Sequence, residues 1–210
     1  DRPCEILDWN TPLQYAHTSN LDQLASNGSC GIMDLYHAGI PVGTDLGHLI
    51  LFGYGLEDYP GRGPIEAFGD GIELIGGDIA FRCNFATVDH QGLISDRRAG
   101  RIRLGTDELA AALNGLMIDG IQVLFKEATE HRAVLVFRGP GLSAKVSDTD
   151  PKKEGQPIKK AVPKDDSPET TFTANILNLF LQKAQEILKD LPLNKNREQL
   201  GLPPANAIVT

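Results

Sequence analysis

The chain has 210 residues, 41% hydrophobic and 23% charged, with a formal net charge of −8. This length can bury a substantial core in one large domain or two small ones, and no apolar run approaches the roughly 20 residues of a membrane span, so a soluble protein without a membrane partner is expected. The acidic balance argues against a nucleic-acid partner, which would need a basic face over its phosphates. Any cations serving a small anion must therefore be gathered locally, and Arg97, Arg98, Arg101 and Arg103 are crowded into one short stretch. Cys4, Cys30 and Cys83 are odd in number and widely spaced, which fits neither a disulfide framework nor a zinc site and favours a reducing cytoplasm. No signal peptide is visible.

In chain order, residues 1–10 read as an irregular lead-in, followed by a helical turn with Pro12 in its first position. Asn20 is placed to cap a helix over residues 21–27, with Leu21, Leu24 and Ala25 on one face and Gly28 as its stop. Residues 29–40 read as a strand and loop running into the turn Gly43-Thr44-Asp45, with a helix over residues 46–52 packed closely on a sheet. The Thr44 hydroxyl then sits near a helix N-terminus, where free backbone N–H groups and the positive end of the dipole favour an anion. Two readings of Thr44 stand side by side, a nucleophile and a helix cap. His48 is equally readable as a phosphate-proximal group and as a packing histidine.

Gly53, Gly55, Pro60, Gly61 and Gly63 break regular structure, and a domain boundary is placed near Tyr59. A helix is expected over residues 64–74. A strand follows over residues 78–89, with Ile79, Phe81, Cys83 and Phe85 on one face and Ala80, Arg82, Asn84 and Ala86 on the other. Residues 93–104 carry the arginines; if extended, Arg101 and Arg103 share a face. Thr106 is expected to cap a helix over residues 107–116. Residues 121–126 and 132–137 read as a hairpin, and residues 139–166 as a long loop of a kind that is usually functional or disordered. Ser167-Pro168 opens the strongest helix, running to about Leu191 and stopped by Pro192, with Phe172, Ile176, Leu177, Phe180, Ala184, Ile187, Leu188 and Leu191 on its core face.

Several ordered stretches resemble one family: residues 43–49 (GTDLGHL), 61–67 (GRGPIEA), 81–87 (FRCNFAT), 96–101 (DRRAGR), 147–151 (SDTDP) and 202–208 (LPPANAI) are similar to the archaeal-type cofactor-independent phosphoglycerate mutases of the alkaline phosphatase superfamily. The resemblance implies an α/β fold made of a partial alkaline-phosphatase-like core over residues 1–59, an inserted phosphoglycerate-binding domain over 60–203, and the start of a return to the core over 204–210. It also implies interconversion of 3- and 2-phosphoglycerate, in glycolysis and gluconeogenesis, through a phosphoenzyme on Thr44. Threonine is a departure here, since serine is the commoner nucleophile in these mutases. Two divalent metal ions (Mn, Mg, Zn or Co) belong to the family's site, with Thr44 the one expected metal ligand in this chain and the others outside it, so that the chain alone is expected to be inactive.

Such a reaction must hold a carboxylate and a phosphate, and a planar guanidinium suits both. Arg82, Asn84, Arg97, Arg98, Arg101, Arg132, Arg138, Asp148 and Asp150 form the expected substrate-binding pool, with surface charge and Asx turns before Pro151 as the plain alternatives. Asp96 and His131 are the preferred carriers of a proton between the two glycerate oxygens. Lys152, Lys153, Lys159 and Lys160 read as a solvated basic loop or as a lid. The rival functions are another metal-dependent phosphotransferase or phosphonate enzyme of the same superfamily, and a non-catalytic anion-binding module.

Overall fold

A computed structural model describes residues 2–210, so Asp1 of the lead-in lies outside the described residues. The described chain divides into two compact units, residues 2–55 and Leu56–Thr210.

The first unit is helical. α1 (Pro12–Tyr15) starts as expected, and Thr11 and Gln14 close a reciprocal capping box over it. α2 (Ser19–Asn27) begins earlier than the Asn20 reading, after Thr18. No strand forms among residues 29–43, so the expected strand-to-helix turn is a loop-to-helix turn. α3 (Thr44–Leu51) begins at Thr44 itself, with Gly43 at the cap position. Gly47 packs closely, as expected, but against Leu35 and Val42 rather than a sheet. It is the one buried residue among residues 2–55, while Ile6, Trp9, Leu24, Ile32 and Met33 are exposed.

The second unit is a mixed α/β layer structure. Its elements are α4 (Arg62–Gly69), β1 (Ile79–Val88), β2 (Ile94–Asp96), α5 (Thr106–Leu113), β3 (Met117–Ile118), β4 (Ile121–Glu127), β5 (Arg132–Arg138), α6 (Pro168–Leu188), α7 (Pro192–Gln199) and β6 (Ala207–Val209). The sheet runs β2-β1-β5-β4-β3, with β6 also paired to β1, and its pairings are antiparallel. The period-2 pattern of β1 is realised. Phe85 and Cys83 enter the main core with Leu135 and Phe137 of β5, Leu109 and Leu113 of α5, and Ile176, Leu177 and Phe180 of α6. On the opposite face Ala80, Val134 and Val136 meet Ala67 of α4. The sheet is therefore covered by α4 on one side and by α5 and α6 on the other, which is why β5 is apolar on both faces.

Several boundaries differ from the sequence reading for identifiable reasons. α4 starts at Arg62 rather than residue 64 and ends at Gly69. Thr106 is the first residue of α5 rather than its cap, because Gly105 occupies the cap position with left-handed φ, and the helix stops at Leu113. α6 is opened by Ser167, whose side chain accepts from the Thr170 N–H, but it stops at Leu188; Pro192 opens α7 instead of only ending α6. The loop over residues 139–166 is irregular yet well tied. Ser147 N donates to the Val162 carbonyl, and Thr149 N and Asp150 N both donate to the Thr210 carbonyl. The Thr210 N–H in turn donates to Thr149 Oγ1, so the loop is latched to the end of β6.

Candidate functional site

Within Leu56–Thr210 a cleft of about 970 Å³ opens on the α4 side of the sheet. The start of α4 gives it Arg62, and the polar face of β1 gives it Arg82 and Asn84. The turn after β2 supplies Arg97, Arg98 and Arg101, the head of β5 supplies His131 and Arg132, and the long loop supplies Asp148, Asp150, Lys152 and Lys164.

The arginine turn is built by Asp96. Its carboxylate accepts from Arg98 N at 2.7 Å and from Gly100 N at 2.9 Å, an acidic side chain replacing missing backbone partners. Ala99 (φ 46°), Gly100 (φ 64°) and Arg101 (φ 53°) then follow in left-handed conformation. Two non-glycine residues in that region store strain of the kind found at binding sites. The stretch is thus not extended, and Arg101 and Arg103 part company: Arg101 lines the cleft, while Arg103 is exposed and pairs with Glu130 at 2.6 Å.

Of the expected substrate pool, Arg82, Asn84, Arg97, Arg98, Arg101, Arg132, Asp148 and Asp150 come together here, and His131 with them. Arg138 does not; it forks onto Asp78 and reaches the Glu73 carbonyl. Asp96 does not line the cleft either, its carboxylate being engaged in the turn. Asp150 fills two roles at once: it takes a bidentate fork from Arg97 (Nε to Oδ1 2.9 Å) and accepts from Lys152 N at 2.7 Å, the Asx turn allowed by the sequence. Burial disfavours its charge, but these donors outweigh burial and hold its pKa below the ordinary carboxylate value. Of the four loop lysines, Lys152 alone lines the cleft, paired with Asp148. Sequence reasoning passed over Arg62, Glu66 and Lys164. The first two lie in the GRGPIEA stretch, so the signal was in hand.

Among the described residues, Arg98, Arg101, Arg132 and Lys164 make no ion pair with a carboxylate. His131 sits among the first three, 7% exposed, with its Nδ1 buried and without a hydrogen bond. Burial first, and then Arg98, Arg132 and Arg101 by repulsion, push its pKa below 6.5 against the pull of Glu130. The imidazole is neutral at pH 7, so its 3.9 Å approach to Glu130 is not an ion pair there. Because unfolding restores the ordinary proton affinity, the unfolded chain binds this proton more readily. The contribution is complete above about pH 6.5 and is lost as pH falls toward the lower folded value. Urea midpoints measured from pH 5 to 8 are expected to drop on the acid side, and His131→Gln is expected to flatten that slope.

Thr44, in the other unit, is exposed at the first position of α3. The His48 ring packs near Phe52, and its Nδ1 lies 2.6 Å from the Thr44 carbonyl, which places the proton of the neutral ring on Nδ1. No group of three or more His, Cys, Asp or Glu side chains that could hold a metal exists among the described residues. These residues therefore do not by themselves form a two-metal centre. The described cysteines are free, and no described helix is long and apolar enough to cross a membrane.

Comparison with known proteins follows the same lines. A family model described as 2,3-bisphosphoglycerate-independent phosphoglycerate mutase matches residues 25–194. Proteins of that name from Methanobrevibacter smithii and Methanopyrus kandleri are 52% and 50% identical over all of this chain, which covers 52% and 51% of their lengths. The chain thus spans about half the length of the curated relatives it matches. A solved cofactor-independent phosphoglycerate mutase from Thermoplasma acidophilum is 44% identical with a TM-score of 0.69, over 100% of this chain and 55% of that one. The PH0037 protein from Pyrococcus horikoshii is 32% identical with a TM-score of 0.71, over 100% of this chain and 47% of that one.

Proposed function

Because the chain belongs to the 2,3-bisphosphoglycerate-independent phosphoglycerate mutase family, we propose that the whole protein interconverts 3- and 2-phosphoglycerate and that the Leu56–Thr210 cleft holds the substrate. The observation that carries this reading is the group Arg98, Arg101 and Arg132, free of carboxylate partners and gathered round a buried neutral histidine. Such a group is costly unless an anion completes it, and guanidinium forks match both a carboxylate and a phosphate. A neutral imidazole can take a proton from one glycerate oxygen and return one to the other, ending the cycle unchanged. We assign that task to His131.

Thr44 is assigned the phosphoryl group. Its Oγ1 forms the bond to phosphorus as the bond to the substrate ester oxygen breaks, the hydroxyl proton passing to the oxygen that leaves; in the return step the other glycerate hydroxyl takes the phosphoryl group and its proton passes back to the threonine oxygen. In support, Gly43 rather than the Thr44 side chain occupies the cap position of α3, so the hydroxyl is not committed to capping. The divalent ions of the sequence reading remain part of the proposal for the whole protein, on ligands other than the residues described. The activity is placed in the cytoplasm.

The test is mutase activity of the full-length protein without bisphosphoglycerate, with and without manganese, beside Thr44→Ala. Metal-dependent activity that falls by at least about 10³-fold in the variant is expected. Full activity of the variant removes Thr44 from the reaction. An inactive parent that turns over other phosphate or phosphonate esters moves the protein to a sister activity. The reading as an anion-binding module is kept for the 210-residue chain itself, on the ground that the residues lining the cleft fall within Leu56–Thr210. It predicts 3-phosphoglycerate binding without turnover.

A further inference from the structure

α4 meets β1 so closely at Gly63 that a Cβ there would run into the Ala80 carbonyl and the Phe81 N. This contact seats the helix on the strand, and Glu66, one turn further on, lies against Arg82. The Glu66 Oε1 is 2.9 Å from Arg82 Nε and 3.3 Å from Arg62 Nε, with the carboxylate side chain only 19% exposed. Both arginines line the cleft, but Glu66 does not. The Arg82 Nε is buried and, although close to Glu66, lies out of line for a hydrogen bond, so charge rather than an aligned bond joins them. Burial weighs most against the Arg82 charge and Arg62 and Arg132 repel it; Glu66 is the carboxylate that opposes them, in part, the net effect being a pKa below the ordinary arginine value.

We propose that Glu66 is a positioning residue of the anion site: from behind the cleft it holds Arg62 and Arg82 by their Nε edges, leaving their terminal N–H groups to face the ligand. The proposal rests on the reading of the cleft as the phosphoglycerate site. It makes a prediction opposite in sign to simple electrostatics. A carboxylate close to an anion site repels the ligand, so if Glu66 acts only through space its neutralisation tightens binding. If it positions the arginines, neutralisation weakens binding.

The experiment is calorimetric titration of the 210-residue chain with 3-phosphoglycerate and, separately, with inorganic phosphate. Glu66→Gln is expected to weaken binding by about tenfold, the loss of one well-aimed charge-assisted contact. Glu66→Asp, which keeps the charge on a shorter arm, is expected to recover part of the loss. In an Arg82→Ala background, Glu66→Gln is expected to add less than about threefold, because much of the effect passes through Arg82. Unchanged or tighter binding in Glu66→Gln overturns the proposal, as does a full tenfold loss on top of Arg82→Ala. Should Glu66→Gln fail to fold, Glu66→Asp gives the same reading, and wild-type affinity in Glu66→Asp overturns the need for the arm's reach. Wild-type binding of phosphate without 3-phosphoglycerate retires the substrate reading while the Glu66 comparison proceeds on phosphate. Failure to bind either anion overturns both.

Discussion

Asn194→Ala is expected to destabilise the chain by about 4 kcal/mol, since a buried backbone group left without its partner costs about 1–3 kcal/mol. Asn194 is fully buried at the start of α7. Its Nδ2 donates to the Leu188 carbonyl at 2.8 Å and the Ala205 carbonyl at 2.9 Å, and its Oδ1 accepts from Ala205 N at 2.7 Å. One amide thus joins the end of α6 to the segment that enters β6. Alanine strands the N–H and the carbonyl of Ala205, takes from the Leu188 carbonyl one of its two donors (Leu191 N remains at 3.3 Å), and leaves a small void. Aspartate keeps the acceptor for Ala205 N but loses both donors and buries a charge, so it is expected to be no better. Urea unfolding with an unchanged denaturant slope, and a midpoint lowered in proportion, is the measurement that checks this.

The second large effect is on binding. Alanine at Arg98, Arg101 or Arg132 is expected to weaken 3-phosphoglycerate binding by about 10–100-fold each, the range for losing a charge-assisted contact of about 1.5–3 kcal/mol. Lysine keeps the charge but not the fork and should recover only part of this. Double variants should fall short of the sum, because the three arginines share one anion and one histidine. Arg103→Ala is the internal control. It lies in the same sequence cluster, but it is 72% exposed and paired with Glu130, so a change within about twofold is expected. The alanine variants of Arg98, Arg101 and Arg132 should leave stability unchanged or slightly raised, because each relieves the mutual repulsion of guanidinium groups clustered around one ring. A loss of both binding and stability would show that these arginines brace the fold instead.

Much of the second unit was legible because local chemistry and tertiary context agree there. The alternation over Ile79–Val88, the apolar run of Arg132–Arg138 and the Ser-Pro start of α6 each carry one period and one boundary signal, and each is found as read. The misses have physical causes. β6 is three residues long and pairs with a strand more than 100 residues away, so nothing local announces it. The turn after β2 looks extended because alanine and arginine seldom take positive φ; Asp96 imposes it through two backbone bonds. The strand expected within residues 29–40 does not form, and Ile32 and Met33 of that stretch are exposed. In the cleft, basic residues could be named from the sequence but not sorted, since Arg138 and Arg98 differ only in whether a carboxylate already holds them.

The latch between Thr149 and Thr210 gives the cleft a lever. Thr210 is fastened to the loop by its carbonyl, its N–H and its hydroxyl, the last 3.0 Å from the Thr149 hydroxyl. Asp150, the next residue along, grips Arg97 through both carboxylate oxygens. A displacement at the far end of β6 therefore has a short mechanical route to one wall of the cleft: strand end, loop, carboxylate, guanidinium. Tension on residue 210 would be felt as a change in where Arg97 points, with no rearrangement of the sheet in between.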